Sequence, residues 1–95
     1  MEAIIDDMAP RLTQAELAAV LYRRRGERLS MTVKVGTDTD GSLFTVFSFF
    51  SEGLAGLHNF AELYHPGDWR ENGSEANSLH GCFRYFFKIE EREEE

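Results

Sequence analysis

Residues 29–50, LSMTVKVGTDTDGSLFTVFSFF, predict a β-hairpin and decide the fold of this 95-residue chain. Over 29–35, apolar residues alternate with Ser, Thr and Lys, which is the period-two pattern of a half-buried strand. Asp40 and Gly41 then form a turn, because Asp-Gly readily adopts positive φ. A second strand follows over 43–50. Its apolar residues fall on both faces, so we expect it to be central in a sheet or covered on its second face.

A helix is predicted just before this hairpin. Thr13 and Glu16 have the spacing of a capping box, in which each side chain satisfies a backbone N–H at the start of a helix. Leu17 and Leu21 follow at helical spacing and predict a buried stripe. Gly26 comes after a last turn rich in arginine and marks the end of the helix.

The second half of the chain completes the predicted fold. Helical spacing of apolar residues indicates a short helix over 51–64, followed by a polar loop over 65–78 and a last strand over 79–89. The predicted fold is therefore α+β. It has a small three-stranded antiparallel sheet packed against an N-terminal helix, with a second short helix, in the order α-β-β-α-β. We assign 1–89 to a single α+β domain and 90–95 to an acidic tail that is unstructured beyond its first residues.

The charge of the chain is negative and unevenly distributed. The formal net charge is −7. Residues 1–34 hold six basic and five acidic side chains, whereas 35–95 hold four basic and twelve acidic ones. Such a surface repels phosphate, so it disfavours direct nucleic-acid binding and suits a basic protein partner.

The expected location is the cytoplasm. Cys82 is the single cysteine, so an internal disulfide is impossible, and a reducing compartment fits this composition. The acidic N-terminal residues have no features of a signal peptide, and no apolar stretch is long enough to span a membrane. We therefore expect a soluble protein with no membrane partner. The oligomeric state stays open.

The segment around Trp69 is the predicted contact site. Tyr64 and Trp69 bracket a Pro-Gly-Asp turn, and Tyr, Trp and Arg are the usual anchors of protein interfaces. Acidic residues of the loop and tail would steer a basic partner to them. The predicted partner-binding residues are Tyr64, Asp68, Trp69, Glu71, Glu75, Glu90 and Glu91. The alternative for Trp69 is that it folds back as a lid over the sheet.

A second hypothesis is a small metal- or ligand-binding domain built from His58, His65, His80 and Cys82. In a strand, His80 and Cys82 at positions i and i+2 would point to the same face. Their spacing matches no familiar zinc motif, and a structural zinc site needs four converging ligands. We expect no catalytic residues, because no nucleophile, base and acid can be assembled into a set, and we predict no cofactor.

These observations favour a small acidic inhibitor or adaptor that binds a basic, nucleic-acid-handling protein. In composition only, the chain is similar to the small inhibitors made by phages and mobile elements, such as anti-CRISPR and anti-restriction proteins that act as nucleic-acid mimics. A third hypothesis is a homo-oligomeric subunit, in which the apolar faces of the second and third strands pair between chains.

Overall fold

The computed structural model describes residues 9–71 and 75–93 and, for 91–93, the backbone only. Within these residues the chain forms two helices and four strands. In chain order these are α1 (Gln14–Arg23), β1 (Leu29–Thr37), β2 (Leu43–Gly53), β3 (Gly56–Pro66), α2 (Glu75–Phe87) and β4 (Glu90–Glu93).

The strands form one sheet in the order β3-β2-β1-β4. β2 is antiparallel to both β1 and β3, whereas β4 runs parallel to β1. The predicted α+β class, with three antiparallel strands and two helices, is therefore confirmed. The element order is α-β-β-β-α-β, so the predicted order was inexact.

The hairpin of β1 and β2 and helix α1 are as predicted. Leu29 pairs with Ser51 at one end of the hairpin and Thr37 pairs with Leu43 at the other. The capping box is formed: the Thr13 backbone N–H donates to Glu16 Oε1 at 2.9 Å, and the Glu16 N–H donates to the Thr13 hydroxyl at 3.2 Å. These bonds satisfy donors that the first helical turn would otherwise leave unpaired.

The helix predicted over 51–64 is wrong, because these residues belong mainly to strands β2 and β3. Gly53 pairs with Gly56, so the turn between the two strands has only two residues, and Gly56 has a φ of 112°. A β-bulge then interrupts the alternation: Phe49 pairs with Ala61 and Phe50 with Asn59, which leaves Phe60 as the extra residue. The extra residue shifts the alternation of side chains by one position, so the apolar residues over 51–64 fall at a spacing that resembles that of a helix.

The strand predicted over 79–89 is also wrong, since most of it belongs to α2. The helix buries Ala76, Leu79, His80 and Phe83. These positions lie on one stripe at a period of 3.6. The alternating aromatic residues across 83–87 resemble the pattern of a strand. In the helix, however, some of these apolar residues lie on the buried stripe and their neighbours lie outside it.

The acidic tail enters the sheet. Glu90 pairs with Ser30 and Glu93 with Val33, so β4 covers the outer edge of β1. The expectation that these residues would be unstructured is corrected by this pairing. A strand can use Glu because backbone groups make the ladder, while an edge position leaves side chains access to water.

The core lies between one face of the sheet and the two helices. Leu17 and Leu21 of α1 and Phe83 of α2 belong to the same buried cluster as Phe47 and Phe49 of β2. Phe83 makes edge-to-face contacts with both of these rings, at centroid distances of 6.0 and 5.3 Å. Each such pair adds about 0.5–1.5 kcal/mol beyond area burial. The predicted packing of helices on one face is confirmed.

The other face of the sheet carries a groove of about 570 Å³. Phe44 and Tyr64 stack there with their ring centroids 5.5 Å apart. The Arg11 guanidinium lies over the Tyr64 ring at 3.6 Å from its centroid. Arg11 reaches this position because the segment around it pairs with Glu62 at the β3 edge.

Candidate functional site: two oppositely charged ends

The loop after β3 is anchored to β2 through one buried hydroxyl. Thr45 Oγ1 donates to the Gly67 carbonyl at 2.6 Å and accepts from the Trp69 N–H at 2.9 Å. The Trp69 ring packs against the core and lies 4.8 Å from the His80 ring. Trp69 is therefore a lid on the helix-covered face, which was one of its two predicted positions.

Tyr64 and Trp69 do not form one patch. Tyr64 pairs with Val46 across the strands, so its side chain lies on the open face. Trp69 contacts the opposite face through Thr45 and His80. The sheet separates the two aromatic residues that the sequence placed side by side.

Asp68 is held within its own loop. Its carboxylate accepts from Arg70 Nη2 at 2.8 Å, from Arg70 Nε at 3.0 Å and from the Arg70 backbone N–H at 2.9 Å. The Arg70 hydrogen bonds, from the side chain first and then the backbone, lower the pKa of Asp68. Much of the charge that Asp68 would offer a partner is thus already compensated.

Several acidic residues meet at one end of the sheet. Because β1, β2 and β3 are antiparallel, the end of β1, the start of β2 and the end of β3 lie at the same end of the sheet. The first turn of α2 also lies there, since His65 Nε2 contacts Glu75 Oε1 at 3.4 Å. We call this the acidic end. It is formed by Asp38, Asp40, Asp68, Glu71 and Glu75, together with Arg70.

Asp40 has a structural role at this end. Its Oδ1 accepts from the Ser42 backbone N–H at 2.9 Å and from the Ser42 hydroxyl at 2.7 Å. These hydrogen bonds, the hydroxyl first, lower the pKa of Asp40. Asp38, Glu71 and Glu75 remain as exposed carboxylates whose charge faces solvent.

Glu90 and Glu91 lie elsewhere. In β4 they pair with Ser30 and Met31, close to the start of β1 and therefore towards the opposite end of the sheet. Glu90 is exposed, and the Glu91 side chain lies outside the described part of the structure. The structure thus brings Asp68, Glu71 and Glu75 together but places Glu90 away from them.

The four residues of the alternative metal site do not converge. His58 and His65 are seven positions apart on β3, which separates them by roughly 23 Å. His80 is buried and Cys82 is exposed, because two positions along a helix turn a side chain by about 200°. Within residues 9–71 and 75–93, no three His, Cys, Asp or Glu side chains are grouped as a metal site requires.

The end opposite the acidic end was missed by the sequence interpretation. The C-terminal turns of α1 and α2 and the tip of the β2–β3 hairpin meet there. We call it the aromatic–basic end. Its aromatic, apolar and basic residues are Tyr22, Arg23, Arg25, Arg28, Leu54, Arg84, Tyr85, Phe86 and Lys88, and the acidic residues Glu27, Glu52 and Glu90 lie at the same end. The buried stripe of Ala76, Leu79 and Phe83 was the signal that could have placed Tyr85 and Phe86 on the surface of a helix.

A groove of about 620 Å³ lies at the aromatic–basic end. Apolar side chains of Leu29, Phe86 and Phe87 line it, and Arg25 and Lys88 add positive charge. Of the acidic side chains nearby, Glu27 accepts from Arg24 Nη1 at 2.9 Å and from the Ser51 hydroxyl at 2.8 Å. The Ser51 hydrogen bond, followed by Arg24, lowers the pKa of Glu27 against the opposing effect of burial.

Comparison with known proteins finds no family model, no curated protein and no solved structure that matches this chain. In the described part of the chain, neither helix has the length and apolar character needed to span a membrane. The basis for a functional assignment is therefore the separation of charge between the two ends and the side chains exposed there.

Proposed function

We propose that this chain is a small inhibitor or adaptor that binds a basic, nucleic-acid-handling protein in the cytoplasm. The observation that carries the proposal is the convergence of acidic residues from three separate segments on one end of the sheet. The turn after β1 contributes Asp38, the loop after β3 contributes Glu71, and the first turn of α2 contributes Glu75. Glu71 and Glu75 are close in the sequence, whereas Asp38 is far from both, and the antiparallel pairing of the strands brings its turn to the same end.

The acidic end suits a basic partner because its like charges repel one another. The Glu75 side chain is 88% exposed, and Asp38 and Glu71 are exposed as well. A partner rich in Lys and Arg relieves this repulsion and is attracted over about 8–10 Å at physiological salt. Such surfaces mainly raise the association rate. Carboxylates on a firm scaffold can occupy the positions that phosphates take on a basic nucleic-acid-binding surface.

In this proposal Trp69 stabilises the acidic end and does not contact the partner. Its ring packs against the core and its N–H donates to Thr45, so it fixes the loop that carries Asp68 and Glu71. Tyr64 stays the proposed apolar contact, since its ring is partly exposed beside Arg11 on the open face. Nucleases of the kind that phage inhibitors block are one class of partner with the required positive charge.

The test is affinity capture with matched baits from a lysate of the source cells. The baits are the unaltered chain, the triple variant Asp38→Asn, Glu71→Gln, Glu75→Gln, and a control variant, Glu52→Gln with Glu90→Gln, that neutralises acids away from the acidic end. We expect the unaltered chain and the control variant to retain a basic protein that is released as the salt concentration rises. The triple variant should bind this protein at least about tenfold more weakly.

The purified partner then allows a kinetic test. Its association rate constant should fall steeply with salt, while its dissociation rate constant changes little. Equal binding by the triple variant and the unaltered chain would rule out the acidic end as the contact surface. So would a partner whose association rate does not respond to salt.

A further inference from the structure

The most exposed large apolar side chains of the described residues gather at the aromatic–basic end. Tyr22 is 60% exposed, Tyr85 74% and Phe86 67%, and Leu54 at the hairpin tip is fully exposed. Apolar area of this kind, mixed with arginine, is typical of a protein interface. Tyr85 and Phe86 contact each other edge to face at 4.8 Å, so they form one projecting aromatic unit.

Lys88 occupies an unfavourable backbone conformation in this surface. Its φ is 54°, in the left-handed region that ends helices and that glycine adopts without a steric penalty. The backbone of α2 would be better served by glycine at this position. Lys88 instead lines the same groove as Leu29 and Phe86 and adds a positive charge to this end. Strain retained beside an exposed aromatic surface points to a binding role.

The positive charge of this end is only partly compensated inside the chain. Arg25 Nη1 donates to the Tyr22 carbonyl at 2.8 Å, and its guanidinium lies 4.2 Å from the centroid of the Tyr22 ring. These contacts fix Arg25 without neutralising it. Among the described residues, no ion pair joins Arg23, Arg25 or Lys88 to a carboxylate.

The complementary surface is present on the same molecule. Both helices and β2 run from the acidic end to the aromatic–basic end, so the two ends face in opposite directions. We infer that the aromatic–basic end of one copy docks on the acidic end of a second copy, head to tail. Arg25 and Lys88 face Glu71 and Glu75 of the second copy in this arrangement, and apolar contact comes from Tyr85 and Phe86.

The area of the two ends determines the expected strength of self-association. The molecule extends 39 × 29 × 22 Å, and an eleven-residue strand such as β2 spans about 36 Å, so the long dimension follows the strands. An end of 29 × 22 Å buried on both copies removes on the order of 1,000 Å² of surface, the lower limit for a specific interface. Association is therefore weak and reversible. Because the two contact surfaces differ, the contact propagates into short chains or closes into a ring.

This inference shares the acidic end with the proposed function but is tested without any partner protein, so each can fail alone. The experiment is sedimentation equilibrium of the full chain from about 1 µM to about 1 mM, at low and high salt. One variant, Tyr85→Ser with Phe86→Ser, removes the aromatic unit. The other, Asp38→Asn with Glu71→Gln and Glu75→Gln, neutralises the acidic end. All five residues are exposed, so the fold should survive.

We expect the average mass of the unaltered chain to rise above 10.9 kDa with concentration at low salt and to return towards it at high salt. Each variant alone should associate at least about tenfold more weakly. An equimolar mixture should form a dimer of one copy of each variant and nothing larger. In that dimer the intact aromatic–basic end of one variant meets the intact acidic end of the other.

A single-site variant separates binding from folding. Lys88→Gly should raise the urea midpoint of unfolding, because it relieves the left-handed backbone, yet weaken self-association. Three results would each overturn the inference: a chain that is monomeric up to about 1 mM at low salt, an acidic-end variant that associates as well as the unaltered chain, or a mixture of variants that stays monomeric. The second result would indicate two aromatic–basic ends in contact.

Discussion

The ring of Phe44 lies directly over Gly36, on the sheet face away from the helices. A β-carbon at residue 36 would sit 2.6 Å from Phe44 Cζ, closer than any side chain tolerates. Gly36→Ala should therefore push the ring out of its stack with Tyr64 and cost about 1–2 kcal/mol of unfolding free energy. Urea unfolding monitored by circular dichroism measures this cost.

Two variants serve as controls for Gly36→Ala. Gly53→Ala meets open space, so it should change stability by less than about 0.5 kcal/mol. In a Phe44→Ala background, Gly36→Ala should lose its cost, because the atoms that it displaces are gone. An equal penalty with and without the Phe44 ring would contradict the role given to this contact.

A second prediction concerns Thr45, whose hydroxyl joins β2 to the loop that carries Trp69. Thr45→Val keeps the shape of the side chain but removes both hydrogen bonds, so it should destabilise the fold by about 1–3 kcal/mol. Trp69 is the single tryptophan, and its fluorescence should shift to longer wavelength as the ring gains access to water. Thr45→Ser retains the hydroxyl and should keep the fluorescence of the unaltered chain. A native spectrum for Thr45→Val would show that packing alone holds the lid.

Local signals were sufficient to predict the structure of residues 13–50. The capping residues Thr13 and Glu16 and the alternation over 29–35 each specify a conformation through nearby atoms. Tertiary context decided the second half. The bulge at Phe60 exists because β3 must match β2, and neither strand alone contains that information.

The candidate site was harder to predict than the fold. Asp38 lies at the same end of the sheet as Glu71 and Glu75 because β1, β2 and β3 are antiparallel, which sequence spacing does not reveal. The sequence placed Glu71 and Glu75 in one predicted contact site, but it did not place Asp38 with them. The exposure of Tyr85 and Phe86 was not predicted, because these residues were assigned to a strand. In a strand, one of the two would face the core, whereas in α2 both are exposed.

The bulge supplies a third prediction. Asn59 is buried, and its Nδ2 donates to the carbonyls of Phe49 at 2.8 Å and Ala61 at 3.2 Å. Asn59→Asp places a carboxylate against these acceptors and should cost about 2–3 kcal/mol at pH 7. The introduced carboxyl should have a pKa raised above its ordinary value, because burial disfavours the charged form and a protonated acid can donate to one carbonyl. The penalty should therefore shrink as the pH falls towards 4, whereas a penalty independent of pH would indicate a purely steric effect.

Acid sensitivity is the fourth prediction. The pKa values of Glu27, Asp40 and Asp68 are lowered by their hydrogen bonds in the folded chain. Groups with a lowered folded pKa stabilise the fold above their unfolded pKa and lose that contribution as the pH falls through the folded value. The urea midpoint should hold steady near neutral pH and fall below about pH 4.

Asp68→Asn isolates one part of this acid response. It should lower the midpoint at pH 7 and flatten its decline in acid, because the Arg70 contacts lose their charge-assisted component. Asp38→Asn is the matched control, since among the described residues no hydrogen bond involves the Asp38 carboxylate. Identical acid profiles for Asp68→Asn and the unaltered chain would assign the pH dependence to other groups.

The helical position of Cys82 gives a fifth prediction. Its thiol is exposed, whereas His80 two positions earlier is buried between the rings of Phe47 and Trp69. Ellman's reagent should modify Cys82 in the folded chain as completely as in urea, and the modified chain should keep its circular dichroism spectrum. Substituting Cys82→Leu should be nearly neutral, while His80→Ala should cost about 1–3 kcal/mol. Protection of the native thiol would contradict the surface position.

The pairing of β4 with β1 gives this small sheet an unusual order of assembly. Ser30 pairs with Glu90 sixty positions later, so β1 cannot acquire its second neighbour until the residues between them have been synthesised. Until then Met31 and Val33 belong to an uncovered strand edge, which can recruit the edge of another unfinished chain. Strand β4 fills this gap, and the exposed carboxylate of Glu90 repels negatively charged neighbouring chains. A ribosome-bound chain that lacks these residues would therefore be at greatest risk of aggregation.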